Sequence, residues 1–387
     1  MRMNRRILLS FLLVAGRLIL PLAVRAADDL LKQKVDAIFT GVTQPGVPGL
    51  AVLVLKNGHV AFEKGYGVAE LRTHSKIDSK TNFRLASVTK QFTAMAIMLL
   101  VHDGKLRYDD KLTDVFPDFP PYGKTIAIRN LLNHTSGLLD YGDLMMKQYG
   151  DTTMEKIPQI KDAGVLDLLR KQSGTSFPPG TKWEYSNSGY AVLAMVVEKV
   201  SGKSFGDFLH DRIFLPARMK HTVAYENGQN EVPHRAYGHT KSKADGTFTQ
   251  TDQSPTSAVL GDGGIYTSLE DIARWDDALR MHVFLSEEEM QPALTPARLN
   301  DGSQPYWPKE KEDDSKAAPR PVDYGFGWFL DPYQGHKRNY HDGGTIGFRT
   351  TIQRFVADQW SIVVLCNRTD LDPDALSLKV AGVILSK

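Results

Sequence analysis

Two short hydrophobic runs near the start of the chain have the pattern of a β-hairpin. Residues 50–56 and 60–66 are rich in apolar, β-branched and aromatic side chains, which favour strands. Between them lies Asn57-Gly58, a dipeptide that suits the positive φ angles of a tight hairpin turn. The pattern therefore predicts an antiparallel pair of strands.

A second pair of strand-like runs lies near the C-terminus. Residues 347–356 and 360–367 are separated by three residues, and residues 374–385 have the pattern of a closing helix. Because strand patterns occur at both ends of the chain, we expect one antiparallel sheet that is built from both termini.

The middle of the chain has helical periodicity instead. Residues 87–102 carry apolar side chains at helical spacing, and residues 190–200 and 271–281 repeat the pattern. We therefore predict an α+β fold, an antiparallel sheet flanked by helices with an inserted, mostly helical lobe.

The predicted sheet lobe comprises residues 27–106 and 240–387. Residues 107–239 are assigned to the helical lobe, and the cleft between the lobes is the predicted place for a functional site.

The first 26 residues have the order of an export signal. A basic start is followed by an apolar run at residues 7–16 and by a small-residue cleavage pattern that ends at Ala26. We expect cleavage after Ala26 and a mature protein that is periplasmic or secreted. The stretch of residues 7–24 is short and contains Arg17, so a retained membrane anchor is the less favoured alternative.

Composition and charge narrow the function classes. The chain has 387 residues, 42% hydrophobic and 24% charged, as in ordinary globular proteins. Residues 1–26 hold five arginines and no acid, so the mature chain has 42 basic and 45 acidic residues and a net charge of −3. No basic block remains, and we expect neither a nucleic-acid partner nor a stable membrane span after cleavage.

Cys366 is the only cysteine. A single cysteine excludes an intramolecular disulfide, and Cys366 is predicted to be a small core residue in a strand.

The first candidate for chemistry is Ser87-Val88-Thr89-Lys90, the only Ser-x-x-Lys in the chain. Serine and lysine three residues apart at a helix start lie on one face, so the amine can reach the hydroxyl. The free N–H groups of such a helix start also favour developing negative charge. An N-capping serine followed by a solvated lysine is the other interpretation.

The second candidate is Tyr185-Ser186-Asn187, just before the helical run that starts at residue 190. A serine nucleophile needs a base, and we expect no nucleophile elbow of the Ser-His-Asp hydrolases here. A tyrosinate could serve if the pKa of Tyr185 fell from ~10 toward 7, which corresponds to roughly 4 kcal/mol that the Lys90 ammonium could supply. A half-buried loop aromatic is the alternative interpretation.

The third candidate is the segment from His341 to Phe348, at the start of the C-terminal strand pair. Glycines at a strand edge let the backbone approach a ligand, so an N–H of Gly343 or Gly344 could face the N–H of Ser87 across a carbonyl oxygen. A glycine-rich turn, with His341 as a satisfied polar residue, fits the segment as well.

In order and spacing, these elements resemble the Ser-x-x-Lys, Tyr-x-Asn and Lys/His-x-Gly motifs of the serine β-lactamase and penicillin-binding superfamily. The similarity is greatest to the class C branch with its DD-peptidase, D-aminopeptidase and esterase relatives. Residues 83–86, 131–138, 263–268 and 270–275 also resemble that branch. The resemblance extends over nearly all of residues 30–385 and implies a β-lactamase/transpeptidase-like fold.

The resemblance implies a role for each candidate residue. Ser87 is acylated, and Lys90 and Tyr185 share the proton transfers. Asn187 holds Lys90 and the substrate amide or ester. The amides of Ser87 and Gly344 form the oxyanion hole, and no metal or organic cofactor takes part.

Two residues depart from the family pattern. His341 replaces the lysine of most β-lactamases; a histidine titrates near pH 6.5, and we expect the adjacent Asp342 to favour its charged form. Asp342 stands where the β-lactamases usually have a threonine that helps to bind the drug's carboxylate, and an acid there is expected to repel this group. Arg349 could offset that charge, form a salt bridge with Asp342 or face solvent.

The activity that the resemblance implies is acyl transfer to water through an acyl-Ser87 intermediate. The expected partner is a small-molecule or peptide substrate, namely a small ester or a D-amino-acid amide or peptide. A β-lactamase or DD-carboxypeptidase is an alternative of the same class. A non-catalytic ligand-binding module with this fold is an alternative of another class, against which the intact Ser87, Lys90 and Tyr185 argue.

Overall fold

The structure, a computed structural model, describes residues 22–153, 156–308 and 319–386. Most of the predicted export signal lies outside these residues, so its cleavage after Ala26 stays a prediction. Within the described ranges, no helix is both long enough and apolar enough to cross a membrane.

Helices fill the middle of the chain, and the long strands lie toward its two ends. The helices are α1 (Leu22–Thr40), α2 (Lys90–His102), α3 (Leu112–Val115), α4 (Ile128–Leu132), α5 (Tyr141–Tyr149), α6 (Asp162–Arg170), α7 (Asn187–Ser201), α8 (Phe205–Leu209), α9 (Leu260–Gly263), α10 (Leu269–Arg280), α11 (Glu287–Met290) and α12 (Pro373–Ile384). The strands are β1 (Leu50–Lys56), β2 (His59–Tyr66), β3 (Phe83–Arg84), β4 (Val223–Ala224), β5 (His239–Lys241), β6 (Phe248–Gln250), β7 (Ile265–Thr267), β8 (Asn339–Thr345), β9 (Phe348–Phe355) and β10 (Trp360–Cys366).

The main sheet joins the two ends of the chain. Its strand order is β2-β1-β10-β9-β8, and every neighbouring pair is antiparallel. The register of the central pair runs from Leu50 opposite Cys366 to Lys56 opposite Trp360. The prediction of one sheet from both termini is therefore confirmed, and so is the hairpin at Asn57-Gly58, where both residues have positive φ.

Both faces of this sheet are covered, because successive side chains of a strand point to opposite faces. On one face, Val52 and Val54 pack with Phe39 of α1 and Val380 of α12. On the other face, Leu53 and its neighbours pack against the large core of the helical region. Cys366 is buried in the first of these clusters, as predicted.

A small second sheet connects the main sheet to the helical region. Its order is β3-β7-β4, and Phe83 and Arg84 of β3 pair with Thr267 and Tyr266. The predicted α+β class is confirmed, while the exact lobe boundaries at residues 106 and 240 stay a prediction. Two helix starts differ from the sequence pattern, because α2 begins at Lys90 after a 3-10 turn at Ala86–Thr89 and α7 begins at Asn187 rather than Tyr190.

Candidate active site

Ser87 lies in the 3-10 turn that joins β3 to α2. The turn is anchored on both sides, since Leu85 N–H donates to Ile265 O at 2.8 Å and Thr350 Oγ1 donates to Leu85 O at 2.7 Å. Ala86 has a φ of 49°, a left-handed conformation that an L-residue adopts at a cost of about 1–3 kcal/mol. The surrounding contacts therefore hold a strained residue directly before Ser87.

Lys90 is completely buried beside Ser87. Its Nζ lies 3.1 Å from Ser87 Oγ, 2.9 Å from Asn187 Oδ1 and 3.0 Å from the backbone oxygen of Asp262. Burial lowers the pKa of Lys90 to about 8, although the Asp262 carboxylate opposes this shift. A lysine with this pKa has an accessible neutral form near neutral pH, so it can accept the proton of the Ser87 hydroxyl.

Tyr185 lies across the cleft, where the chain enters α7. Its ring centroid is 4.9 Å from Lys90 Nζ, and its hydroxyl lies close to Ser87, although the hydrogen bond to Ser87 Oγ comes from Lys90. Part of the side chain is exposed, but burial of the hydroxyl raises the pKa of Tyr185 well above 10, a shift that the contact with Ser87 only partly opposes. The raised pKa opposes a tyrosinate in the free protein and favours the neutral phenol of Tyr185.

The two glycines of the third motif lie in β8, at the edge of the main sheet. A Cβ at Gly343 would lie 2.2 Å from Leu85 O, so only glycine allows β8 to approach the turn that carries Ser87. Gly344 is exposed at the cleft, where a Cβ would have no heavy atom closer than 3.7 Å. Gly343 thus permits close packing, whereas Gly344 lines the cavity beside Ser87.

His341 is buried behind the cleft. Its Nδ1 lies 2.7 Å from Asp342 O and must donate to this carbonyl, so Nε2 accepts the hydrogen bond from the Tyr324 hydroxyl at 3.2 Å. Burial, followed by repulsion from Lys90, lowers the pKa of His341 to about 3. The expectation of a histidine that titrates near pH 6.5 and is kept charged by Asp342 is wrong, because the ring is neutral over the useful pH range.

Asp342 points to the opposite face of β8. Its carboxylate accepts a hydrogen bond from Thr351, its partner on β9. Burial, and then the nearby Asp374 of α12, raise the pKa of Asp342 to about 7. The expected repulsion of a substrate carboxylate by Asp342 is wrong, since the sheet lies between this acid and the cleft.

Arg349 is the cross-strand partner of Gly344. Its Nη1 donates to Thr345 O and Phe348 O, both at 2.7 Å. Within the part of the chain that the structure describes, Arg349 forms no salt bridge with Asp342 or another acid. Of the three possibilities left open by the sequence, the structure therefore excludes the Asp342 pair.

Two residues near Ser87 were given no role by the sequence reasoning. His134 is buried, accepts the Ser186 N–H at Nδ1 over 3.0 Å and packs against Tyr185 with tilted rings and a centroid distance of 4.4 Å. Asp262 lies under Lys90 and accepts a hydrogen bond from the Tyr141 hydroxyl at 2.8 Å. Only weak sequence features point to these two residues. His134 lies in segment 131–138, which resembles the family, and Asp262 directly precedes Gly263-Gly264.

A Gly-x-Ser-x-Gly pattern does occur, at residues 202–206. Its central Ser204 is exposed and caps α8, where Oγ accepts the N–H of Asp207. It is not on a strand-to-helix turn, so it is not a nucleophile elbow.

The residues around Ser87 enclose a small polar cavity of about 100 Å³, lined among others by Arg84, Ser87, Asn187, Asp262 and Gly344. A larger cavity of about 690 Å³ lies between the end of α1 and the β5–β6 hairpin. No residue named above for the Ser87 site lines this larger cavity, so the small one is the candidate active site.

Comparison with known sequences decides the family. Residues 27–383 match the family model described as Beta-lactamase. The chain belongs to the β-lactamase family. This family and its relatives are serine hydrolases, so the protein is an enzyme of that class.

The relatives of this β-lactamase-family protein are named for different activities. It is 33% identical over 347 residues to a penicillin-binding protein of Bacillus subtilis (strain 168), over 86% of this chain and 71% of the relative. It is 29% identical to a D-aminopeptidase of Brucella anthropi, over 83% of this chain but only 56% of that protein's length. Among solved structures, EstCE1, a hydrolase with promiscuous acyltransferase activity, superposes with a TM-score of 0.73 at 19% identity, over 93% of this chain and 100% of that one. This last likeness concerns the fold alone.

Proposed function

We propose that this β-lactamase-family protein hydrolyses small esters or D-amino-acid amides and peptides through a covalent acyl-Ser87 intermediate. The observation that carries the proposal is the contact of 3.1 Å between Ser87 Oγ and the Nζ of a buried lysine whose pKa is about 8. A lysine with a purely structural role would not need to be both buried and in contact with a serine hydroxyl, so this combination indicates a functional site.

In the proposed acylation, Ser87 Oγ attacks the substrate carbonyl carbon while its proton passes to the neutral Lys90 amine. The carbonyl oxygen becomes an oxyanion that the N–H groups of Ser87 and Gly344 stabilise. The tetrahedral intermediate then collapses, and the leaving alcohol or amine takes a proton that reaches it through Lys90 and the neutral Tyr185 hydroxyl. Asn187 keeps the Lys90 ammonium in place between these transfers.

Deacylation reverses the same proton path. A water molecule gives a proton to Lys90 and adds to the acyl carbonyl, and Ser87 leaves as it recovers its proton. The neutral state of Tyr185 supports a role as donor and relay rather than as the first base. The neutral state of His341 supports a role in shaping the strand, because an uncharged ring adds no positive field to the cleft.

The choice of substrate rests on the relatives. One relative is named a D-aminopeptidase. A second candidate, a DD-carboxypeptidase or β-lactamase, is favoured by the penicillin-binding relative and by Arg349, a guanidinium next to Gly344 that could bind a substrate carboxylate.

We also propose that the protein is exported. The proposal rests on the basic start, the apolar run and the Ala26 cleavage pattern at the N-terminus. N-terminal sequencing of the protein recovered outside the cytoplasm should begin at Ala27; an intact Met1 in a membrane fraction would instead indicate an anchor.

The function is tested by assaying the mature protein in parallel with p-nitrophenyl esters, D-amino-acid amides and a chromogenic cephalosporin. We expect turnover of esters or D-amino-acid amides, and its loss in Ser87→Ala. Faster turnover of the cephalosporin would favour the second candidate. Unchanged turnover in Ser87→Ala would contradict both, and the absence of all turnover and of covalent labelling at Ser87 would favour a binding module.

A further inference from the structure

The cavity beside Ser87 contains a carboxylate that the proposed acyl transfer does not use. Asp262 of α9 lines this cavity together with Ser87 and Gly344, and only 8% of the residue is exposed. Its Oδ2 accepts the hydrogen bond from the Tyr141 hydroxyl at 2.8 Å. No further hydrogen bond to this carboxylate is formed within the described residues, so Oδ1 is left to bind a ligand.

The position of this carboxylate is fixed by the turn that carries it. The Asp162 side chain accepts the N–H groups of Leu260 and Gly261 at 2.8 and 3.0 Å, and Thr93 Oγ1 donates to Gly261 O at 2.7 Å. A Cβ at Gly261 would lie 2.3 Å from Tyr190 O, so α9 packs directly on α7. A rigid acceptor of this kind loses little entropy when it binds a ligand.

Two fixed cations oppose the effect of burial on Asp262. Burial raises the pKa of Asp262, and Lys90 and Arg84 both oppose the shift. Arg84 is buried, and its Nε and Nη2 donate to Gly263 O and Ser257 O at 3.1 and 2.9 Å. Its Nη1 has no hydrogen-bond partner within the described residues, and Oδ1 of Asp262 is an open acceptor in the same cavity.

We propose that Asp262 binds the ammonium group of substrates that carry a free amine next to the scissile carbonyl, namely 2-aminoacyl esters and amides. The inference rests on the proposed function, because it names the substrate class of the same site. An ammonium is a compact donor-only group, and its remaining N–H bonds can reach the hydroxyls of Thr256 and Thr345, which line the same cavity. A cavity of about 100 Å³ has room for such a group.

Binding of the ammonium also activates the lysine. In the free protein the Asp262 carboxylate stabilises the Lys90 ammonium by its charge, and Lys90 Nζ also donates to the backbone oxygen of Asp262 at 3.0 Å. A substrate ammonium bound to Asp262 partly neutralises this carboxylate, and the extra positive charge makes it easier for Lys90 to release its proton to solvent. The neutral amine is then ready to accept the Ser87 proton.

The test compares alanine p-nitroanilide, as D and L enantiomers, with the matching N-acetylalanine p-nitroanilides. Since a hydrogen bond to a charged group typically changes affinity by about 10- to 100-fold, we expect kcat/KM to favour the better free-amine enantiomer by about that factor. Asp262→Asn should reduce the preference to within about threefold. Asp151→Asn, the same substitution at an exposed aspartate, is the matched control, in which the preference should persist.

Equal kcat/KM for free and acetylated substrates in the wild type, or an unchanged preference in Asp262→Asn, would overturn the inference. If Asp262→Asn does not fold, the wild type still decides. The preference should decline as the pH rises through the pKa of the substrate amine, which is about 8 for an α-amino group, and a constant preference overturns the inference.

The proposed function and this inference can be refuted independently of each other. Turnover of p-nitrophenyl butyrate through Ser87, without any preference for free amines, leaves the hydrolase assignment in place and removes only the role of Asp262. If neither the butyrate nor the anilides are cleaved and Ser87 is not labelled, the proposed function is wrong and the inference falls with it.

Discussion

Replacement of Asn187 by alanine should shift the pH dependence of hydrolysis to lower pH. Asn187 Oδ1 accepts a hydrogen bond from Lys90 Nζ at 2.9 Å, and this bond stabilises the charged lysine. A hydrogen bond to a charged group contributes about 1.5–3 kcal/mol, and one pKa unit corresponds to about 1.4 kcal/mol. Without this bond the pKa of Lys90, which is about 8 in the wild type, should fall by about 1–2 units.

The assay is the pH profile of kcat/KM for p-nitrophenyl butyrate. In the wild type, kcat/KM should rise with pH through the pKa of Lys90, because only the neutral amine can take the Ser87 proton. In Asn187→Ala the same rise should occur at lower pH, even though the maximum is reduced by weaker substrate binding. Asn230→Ala, an exposed asparagine, is the control and should leave the midpoint unchanged. An unchanged or higher midpoint in Asn187→Ala would refute the assignment of Lys90 as the base.

Three further predictions concern the cleft and the sheet edge. Lys90→Ala and Tyr185→Phe should each lower kcat by at least ~10²-fold, and the double variant should lose much less than the product of the two factors; multiplicative losses in steady-state assays would show that the residues act separately. Gly343→Ala should abolish activity and lower Tm, because its Cβ would meet Leu85 O, whereas Gly344→Ala should fold normally in a thermal melt; equal Tm losses would contradict the close packing. Asp342 has its pKa raised from 3.8 to about 7 in the folded state, so stability is lost as the pH rises from about 4 through 7. Asp342→Asn should therefore be more stable than the wild type at pH 8, by at most about 4 kcal/mol, and equal to it near pH 4; denaturant titrations at the two pH values check this, and a constant difference would contradict it.

Much of the fold could be predicted because its signals are local. The Asn57-Gly58 turn and the apolar runs at both chain ends fix the hairpins, and their location at the two termini indicates a shared sheet. The start of α7 was placed too late, because Asn187 and Ser188 are polar and carry no apolar period; the Ser186 side chain caps this helix by accepting the Gly189 N–H.

The positions of the site residues could be predicted, but their protonation states could not. Ser87, Lys90, Tyr185 and Asn187 were found by motif, and the structure brings them together. The pKa of Tyr185 and of His341 depends on burial and on groups distant in sequence, such as Lys90, which lowers the pKa of His341.

The charge of a neighbour in sequence can also mislead. Asp342 is adjacent to His341 along the chain, yet the alternation of a strand places the two side chains on opposite faces of the sheet. The contact between Asp262 and Lys90 could not be predicted for the complementary reason, since the two residues lie 172 positions apart and meet only through folding.

The most direct test of the mechanism is to trap the acyl-enzyme. The mature protein is mixed with a p-nitrophenyl ester, quenched in acid during turnover, and analysed by intact-mass and peptide mass spectrometry. A mass increase of one acyl group, located on the peptide that contains Ser87 and absent from Ser87→Ala, is the predicted result. Steady turnover without any acylated peptide, or with the acyl group on another residue, would contradict nucleophilic catalysis by Ser87.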